Sequence, residues 1–166
     1  MTCIKQVTPA TLLLMLRRDY EGQVCSIART LEVVGDRWTL LVVCDVVLGI
    51  RRFDELLTSL GAASNVLTDR LNRLVAEGIL ERFRYNERPE RFEYHLTEKG
   101  RELGVCLVAL MQWGDRHISD EPPRIARRPG DGSAITARLV AGDGSIVRPG
   151  EVELAPGPGL RQSQQG

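Results

Sequence analysis

A change in hydrophobic periodicity constrains this chain more than any other feature of its sequence. In two short segments, 52–60 and 65–77, apolar residues recur at helical spacing, and a tight turn at 61–64 joins these segments. They then alternate with polar residues at a period of two in 79–85 and again in 92–96, as in strands. We therefore predict two short helices around a tight turn, followed by a β-hairpin with a polar tip.

Further helices are predicted on both sides of this unit. Segments 8–20, 25–34 and 37–48 precede it, and a long helix is expected to follow it over 97–118. Segment 37–48 is apolar on most sides and should be buried. The long helix carries too many apolar residues for one face, so part of it should contact a second subunit. The predicted N-caps are Thr8 for 8–20, Asp36 for 37–48, Ser64 for 65–77 and Thr97 for 97–118.

The predicted fold class is mainly α with a small β-hairpin wing (α+β), that is, a winged helix-turn-helix. We divide the chain into an N-terminal helical extension (1–22), a winged helix-turn-helix domain with its dimerisation helix (23–118), and a linker and tail (119–166). The tail is expected to hold a short β-hairpin within 135–154 and to end in a disordered segment. Translation from Met15 instead of the first methionine is an open alternative.

Charge and apolar content exclude two broad classes of protein. The chain has 22 Lys and Arg against 22 Asp and Glu, which excludes a histone-like polycation but leaves a local basic face open. Its apolar runs are far shorter than the roughly 18–20 residues of a membrane-spanning helix, and no signal-peptide pattern stands out. We therefore expect a cytoplasmic protein with no membrane partner.

The sequence shows no pattern typical of a catalytic, metal or cofactor site. The four cysteines are scattered and form no Cys-x-x-Cys pair, and His95 and His117 lack further ligands at metal-binding spacing. Neither a Gly-rich phosphate loop nor an ordered set of Ser, His and Asp is apparent. We expect reduced thiols, no metal, no cofactor and no enzymatic activity.

The segment 65–77 and the hairpin carry the side chains that a DNA-binding surface needs. A helix fits the major groove and reads base edges with short polar side chains and arginine, while a hairpin beside it reaches phosphates or the minor groove. The residues predicted to contact double-stranded DNA are Ser64, Asn65, Thr68, Arg70, Arg73, Arg84, Arg88 and Arg91. The alternative is an ordinary solvated face, because residues 51–91 hold eight arginines against seven acidic residues.

Several short motifs occur in an order that resembles one family. They are 25–29 (CSIAR), 34–39 (VGDRWT), 49–56 (GIRRFDEL), 65–71 (NVLTDRL) and 87–94 (ERPERFEY). Over about residues 17–118 the chain resembles the HxlR-type family of bacterial winged helix-turn-helix regulators, which are relatives of the MarR-like group. Within that likeness, 65–71 resembles the recognition helix and 87–94 resembles the wing.

The resemblance implies a homodimeric transcription regulator that binds an inverted-repeat operator. The N-terminal and last long helices are then expected at the dimer interface, and repression is the expected mode of regulation. Cys25 matches a thiol that some family members use to sense oxidants, so an oxidant or another small molecule is the expected inducer. The alternative for Cys25 is a small packed residue. The tail resembles a cysteine-bearing extension of some members but holds no cysteine, so no metal is predicted there.

A second interpretation of the whole chain stays open. The winged-helix dimer has then lost DNA binding and serves as a protein-interaction or small-molecule-binding module. Asp69, which falls on the predicted recognition helix, and the near-neutral charge of 51–91 support this alternative.

Overall fold

The structure of this protein, a computed structural model, describes residues 25–158. The predicted helix at 8–20 and the last residues of the tail, 159–166, lie outside the described residues. The described residues fall into two units, which are 25–36 with 156–158, and 37–155.

In the part of the first unit that the structure describes, helix α1 spans Ser26–Val34. Cys25 precedes it with an extended backbone, and the Cys25 carbonyl accepts a hydrogen bond from the N–H of Arg29 at 3.0 Å. The helix predicted at 25–34 is therefore confirmed, and Cys25 occupies its N-cap position.

The second unit contains the helix-turn-helix and the wing that the periodicity predicts. Three helices come first, an antiparallel hairpin follows, and two helices come next in close succession. Their bounds are α2 Thr39–Val47, α3 Phe53–Leu60, α4 Ser64–Ala76, β1 Leu80–Glu87, β2 Glu90–Leu96, α5 Glu98–Glu102 and α6 Gly104–His117. The predicted fold class, a mainly α winged helix-turn-helix, is confirmed.

The core of this unit forms where α2 meets α3, α4 and β2. Leu67, Leu71 and Leu74 recur along one side of α4 and are buried, together with Leu56 of α3 and Val42 of α2. Burial of such a side chain contributes about 1.5–3 kcal/mol relative to leaving it in water. The inward stripe of α4 therefore determines which of its other residues face solvent.

Two of the predicted N-caps are wrong. The carbonyl of Ala63 already accepts a hydrogen bond from the N–H of Leu67 at 3.0 Å, so Ala63 is the N-cap of α4 and Ser64 is its first helical residue. A turn separates Asp36 from α2, whose N-cap is Trp38. In both places the first closed helical turn, and not the best capping side chain, determines where the helix begins.

The long helix predicted over 97–118 is interrupted at Leu103. The N–H of Leu103 donates to the carbonyl of Gly100 at 3.2 Å, which is a tighter turn than that of an α-helix. Gly104, a residue of low helix propensity, follows directly and begins α6. The predicted N-cap of the segment is confirmed, because Thr97 Oγ1 accepts a hydrogen bond from the N–H of Gly100 at 3.1 Å.

A small hairpin in the tail confirms the one predicted within 135–154. Its strands, β3 at Leu139–Val140 and β4 at Ile146–Val147, are shorter than the alternation of apolar residues suggests. At its turn, Asp143 Oδ1 accepts hydrogen bonds from both the Oγ–H and the N–H of Ser145. These bonds hold the pKa of the Asp143 carboxyl below its usual value.

The side chain of Gln112 joins the tail to α6. Its Nε2 donates to the carbonyl of Ile135 at 2.7 Å, and its Oε1 accepts from the N–H of Ala137 at 2.9 Å. A single amide therefore satisfies two backbone groups of an otherwise irregular segment. Among residues 25–158, no helix is both long enough and apolar enough to cross a membrane.

Candidate nucleic-acid interface

The N-terminal half of α4 exposes short polar side chains. Ser64, Asn65 and Thr68 are exposed there, whereas the leucines of the same helix are buried. The Thr68 hydroxyl donates to the Ser64 carbonyl at 2.8 Å, so the Thr68 oxygen still has a lone pair for an outside donor. In a helix-turn-helix, this end of the second helix is the one that reaches base edges.

The sequence prediction missed Asn72, which extends the same surface. At helical spacing Asn72 lies one turn beyond Thr68 and two turns beyond Asn65, and all three are exposed. Its signal was present in the sequence as a polar residue outside the leucine stripe. Asp69 is exposed on this face as well and adds the one charge that opposes phosphate.

Arg70 and Arg73 lie along the flank of that face. Both are partly buried, in contrast to the exposed residues Asn65 and Thr68. By their helical positions they neighbour the polar face without being at its centre. This placement suits guanidinium groups that contact the backbone of a duplex beside the groove.

The wing carries the remaining predicted arginines at its outer end. Arg88 forms the turn, while Arg84 of β1 and Arg91 of β2 lie next to it, and all three are exposed. A bulge at Tyr85 shifts the pairing of the strands between them. The Nη1 atom of Arg84 lies 3.4 Å from Glu90 Oε1, so its charge is partly compensated within the wing.

Arg52 attaches the wing to the start of α3, and the sequence prediction missed it. Its Nε donates to Glu93 Oε1 at 2.9 Å, and its guanidinium lies over the ring of Tyr85 at 4.6 Å. The N–H of Tyr94 also donates to the carbonyl of Arg51 at 2.9 Å, which extends the hairpin edge. The Arg52 hydrogen bond holds the pKa of the Glu93 carboxyl below its usual value. No local pattern reveals a pair separated by 41 positions.

The three cysteines of the described residues differ in access to solvent. Cys25 is exposed at the N-cap position of α1, and Cys106 is exposed on α6. Cys44 is partly buried, and desolvation together with the charge of Asp45 raises the pKa of its thiol. Oxidants therefore reach Cys25 and Cys106 more readily than Cys44.

Comparison with known proteins places this architecture in a family. The model of HxlR-like helix-turn-helix proteins matches residues 33–122. The chain is 40% identical over 149 residues to the uncharacterised HTH-type transcriptional regulator Rv3095 of Mycobacterium tuberculosis, which covers 88% of this chain and 93% of that protein.

Solved structures agree with that placement. PA1607, described as a candidate transcription factor, has a TM-score of 0.72 and 36% identity, over 81% of this chain and 96% of its own. The redox regulator HypR in its oxidised form has a TM-score of 0.53 and 31% identity, over 57% of this chain and 99% of its own. The family match includes α4 and the whole wing. The chain therefore belongs to the HxlR-like helix-turn-helix family, which includes relatives described as HTH-type transcriptional regulators.

Proposed function

We propose that this protein is a transcription repressor that binds an inverted repeat in double-stranded DNA as a homodimer. The observation that carries the proposal is the exposed polar face of α4, with Asn65 and Thr68 at its N-terminal half, next in sequence to a wing with exposed arginines. In this assignment the face of α4 enters the major groove and Arg88 and Arg91 contact phosphates. Residues 23–118 supply DNA binding and dimerisation, with 1–22 as an extension.

The exposed apolar side of α6 supports the homodimer. Val105 is 71% exposed, Leu110 55% and Trp113 53%, and α6 has no buried residue in the described chain. Contact with a second copy removes this apolar surface from water, which is favourable in proportion to the area covered. A two-fold axis through α6 presents two copies of α4, and such a pair requires an inverted repeat.

In this proposal, the dimer represses transcription by occupying its DNA site. A dimer that contacts two successive major grooves and the phosphates beside them excludes other proteins from the same stretch of duplex. The alternative, a winged-helix dimer without DNA binding, keeps one argument in its favour, because Asp69 is exposed on the face of α4 that would meet the groove.

A gel shift on the region upstream of the protein's own gene tests the proposal. We expect a retarded band at low salt that persists with excess unrelated competitor DNA, because base contacts add to phosphate contacts. A band that competitor removes indicates binding without specificity and contradicts the operator. Absence of any retarded band at low salt favours the interaction module.

We further propose that oxidation of Cys25 releases the DNA. Cys25 is exposed at the N-cap position of α1, where an oxidant can reach its thiol, and the chain is similar in fold to a redox regulator. When the Cys25 thiols of two subunits form a disulfide, both S–H bonds break, one S–S bond forms, and the oxidant takes up two electrons and two protons. The new bond then changes the spacing of the two α4 helices.

Diamide treatment of the DNA complex tests this step. We expect diamide to abolish the retarded band for the wild type and for Cys106→Ser, a second exposed cysteine, while Cys25→Ser keeps it. A dithiothreitol wash should restore the band for the wild type. If the wild type and Cys25→Ser respond identically, Cys25 is not the switch.

A further inference from the structure

A cavity at the junction of the wing with the last helices combines apolar walls with cationic side chains. It has a volume of about 390 Å³, and it lies where the end of α2, the end of β2 and the start of α6 meet. Val46, Val47 and Leu96 form its apolar walls, and Arg51, His95 and Arg101 supply its polar groups. This volume lies in the range of pockets that hold small organic molecules.

The polar groups of this cavity are positioned by contacts with the fold. Arg101 Nη1 donates to the carbonyl of Leu96 at 2.7 Å, which holds the guanidinium at the cavity. His95 packs edge-on against the ring of Phe83, and its Nε2 lies 3.5 Å from Glu93 Oε2. A ligand therefore meets groups that are already oriented, which lowers the entropic cost of binding.

The charged side chains that line this cavity favour a negatively charged ligand. Its lining contains two arginines and no carboxylate. Two glutamates outside the lining contact it, since Glu93 Oε2 lies 3.5 Å from His95 Nε2 and Glu98 Oε2 lies 3.4 Å from Arg101 Nη2. The guanidinium of Arg51 has no ion-pair partner among residues 25–158, so its charge is available to a ligand.

A second cavity of similar volume shows the opposite character. It lies between the start of α3 and the wing, and its lining contains two carboxylates, Asp54 and Glu90, against one arginine, Arg91. The faces of two of its aromatic rings are already covered, because Arg52 lies over Tyr85 and Arg82 lies over Phe92. Of the two cavities, the one at Arg51 is therefore the one whose lining holds arginines without any carboxylate.

We propose that the cavity at Arg51 and Arg101 binds a small organic carboxylate with an apolar body. The carboxylate takes charge-assisted hydrogen bonds from the two guanidiniums, and the apolar body lies against Val46, Val47 and Leu96. The site joins the end of α2, the end of β2, α5 and the start of α6, and α2 packs against α4. Occupancy therefore biases the position of α4 relative to α6, an effect on DNA that rests on the proposed function.

Titration of the free protein with benzoate tests the site without DNA, so its outcome is independent of DNA binding. We expect saturable shifts of the backbone amide signals of Val46, Val47 and Leu96 in NMR spectra. Benzyl alcohol, which has the same ring without the charge, should bind at least roughly tenfold more weakly, because hydrogen bonds to a charged group are the stronger ones.

Two kinds of variant test separately the positive charge of the cavity and its open volume. Arg51→Gln should weaken benzoate binding roughly tenfold, while Arg116→Gln, an exposed arginine outside the cavity lining, should leave it unchanged. Gly104 lines the cavity, and a Cβ added there meets no heavy atom within 4 Å. Gly104→Leu should therefore fill the cavity and block binding without disturbing the helix.

Gly114→Leu is the matched control for the blocking variant. Gly114 lies in the same helix and its added Cβ also meets nothing within 4 Å, but it does not line the cavity. Binding by Gly114→Leu and not by Gly104→Leu supports the site. The proposal is overturned if the wild type shows no saturable shift, if benzyl alcohol binds as tightly as benzoate, or if Arg51→Gln and Gly104→Leu bind like the wild type.

Discussion

Replacement of Arg88 and Arg91 by glutamine is expected to weaken binding to DNA of every sequence and to flatten its dependence on salt. Both side chains are exposed at the outer end of the wing, where they suit phosphate contacts and not base readout. Each phosphate contact releases counterions and contributes about 0.9 to the slope of log K against log salt. A dimer loses four such contacts, so the slope should fall by about 3–4.

Fluorescence anisotropy over a series of salt concentrations measures this slope. Arg116→Gln, which removes an exposed arginine from α6, is the matched control and should keep the wild-type slope. Asn65→Ala provides the contrast, because loss of a base contact costs about 1–3 kcal/mol per half-site on the operator and leaves the slope nearly unchanged. An unchanged slope in the Arg88 and Arg91 variant means that the wing does not contact phosphates.

Gly100→Ala is expected to lower the free energy of unfolding by about 3 kcal/mol, the upper end of the usual cost of overpacking. A Cβ at Gly100 would collide with the backbone carbonyl oxygen of Ile79 and would lie 2.9 Å from Leu96 Cδ2. The carbonyl cannot move away freely, because Ile79 O also accepts a hydrogen bond from the N–H of Thr97 at 3.1 Å, and the Thr97 hydroxyl donates to the preceding carbonyl, that of Gly78, at 2.6 Å. The start of the hairpin therefore depends on close approach to a glycine.

Urea unfolding followed by circular dichroism measures this effect. Gly114→Ala is the control within α6, where the added methyl meets nothing within 4 Å and should raise stability by about 0.5–1 kcal/mol through helix propensity. If both variants unfold at the same urea concentration, the packing of α5 against Ile79 does not stabilise the fold.

Local sequence patterns predicted those parts of the fold that depend on neighbours along the chain. The stripe of Leu67, Leu71 and Leu74 predicted both α4 and its buried side, and Thr97 was correctly predicted to cap the next helix. The caps at Asp36 and Ser64 were wrong, because the N-caps of α2 and α4 are Trp38 and Ala63, whose side chains form no capping hydrogen bond and therefore leave no sequence signal. Helices α2 and α4 each begin at the first position at which a helical hydrogen bond closes.

The sequence by itself determined that this chain forms a helix-turn-helix with a wing, since periodicity decides which side of each element leaves water. Only the tertiary structure decided which charges meet. It joined Arg52 to Glu93 across the chain and placed Arg51 and Arg101 around one cavity. The physical reason is that the spacing of apolar residues within one segment determines which side of that segment is buried. Contact between two distant side chains depends instead on how every element between them packs.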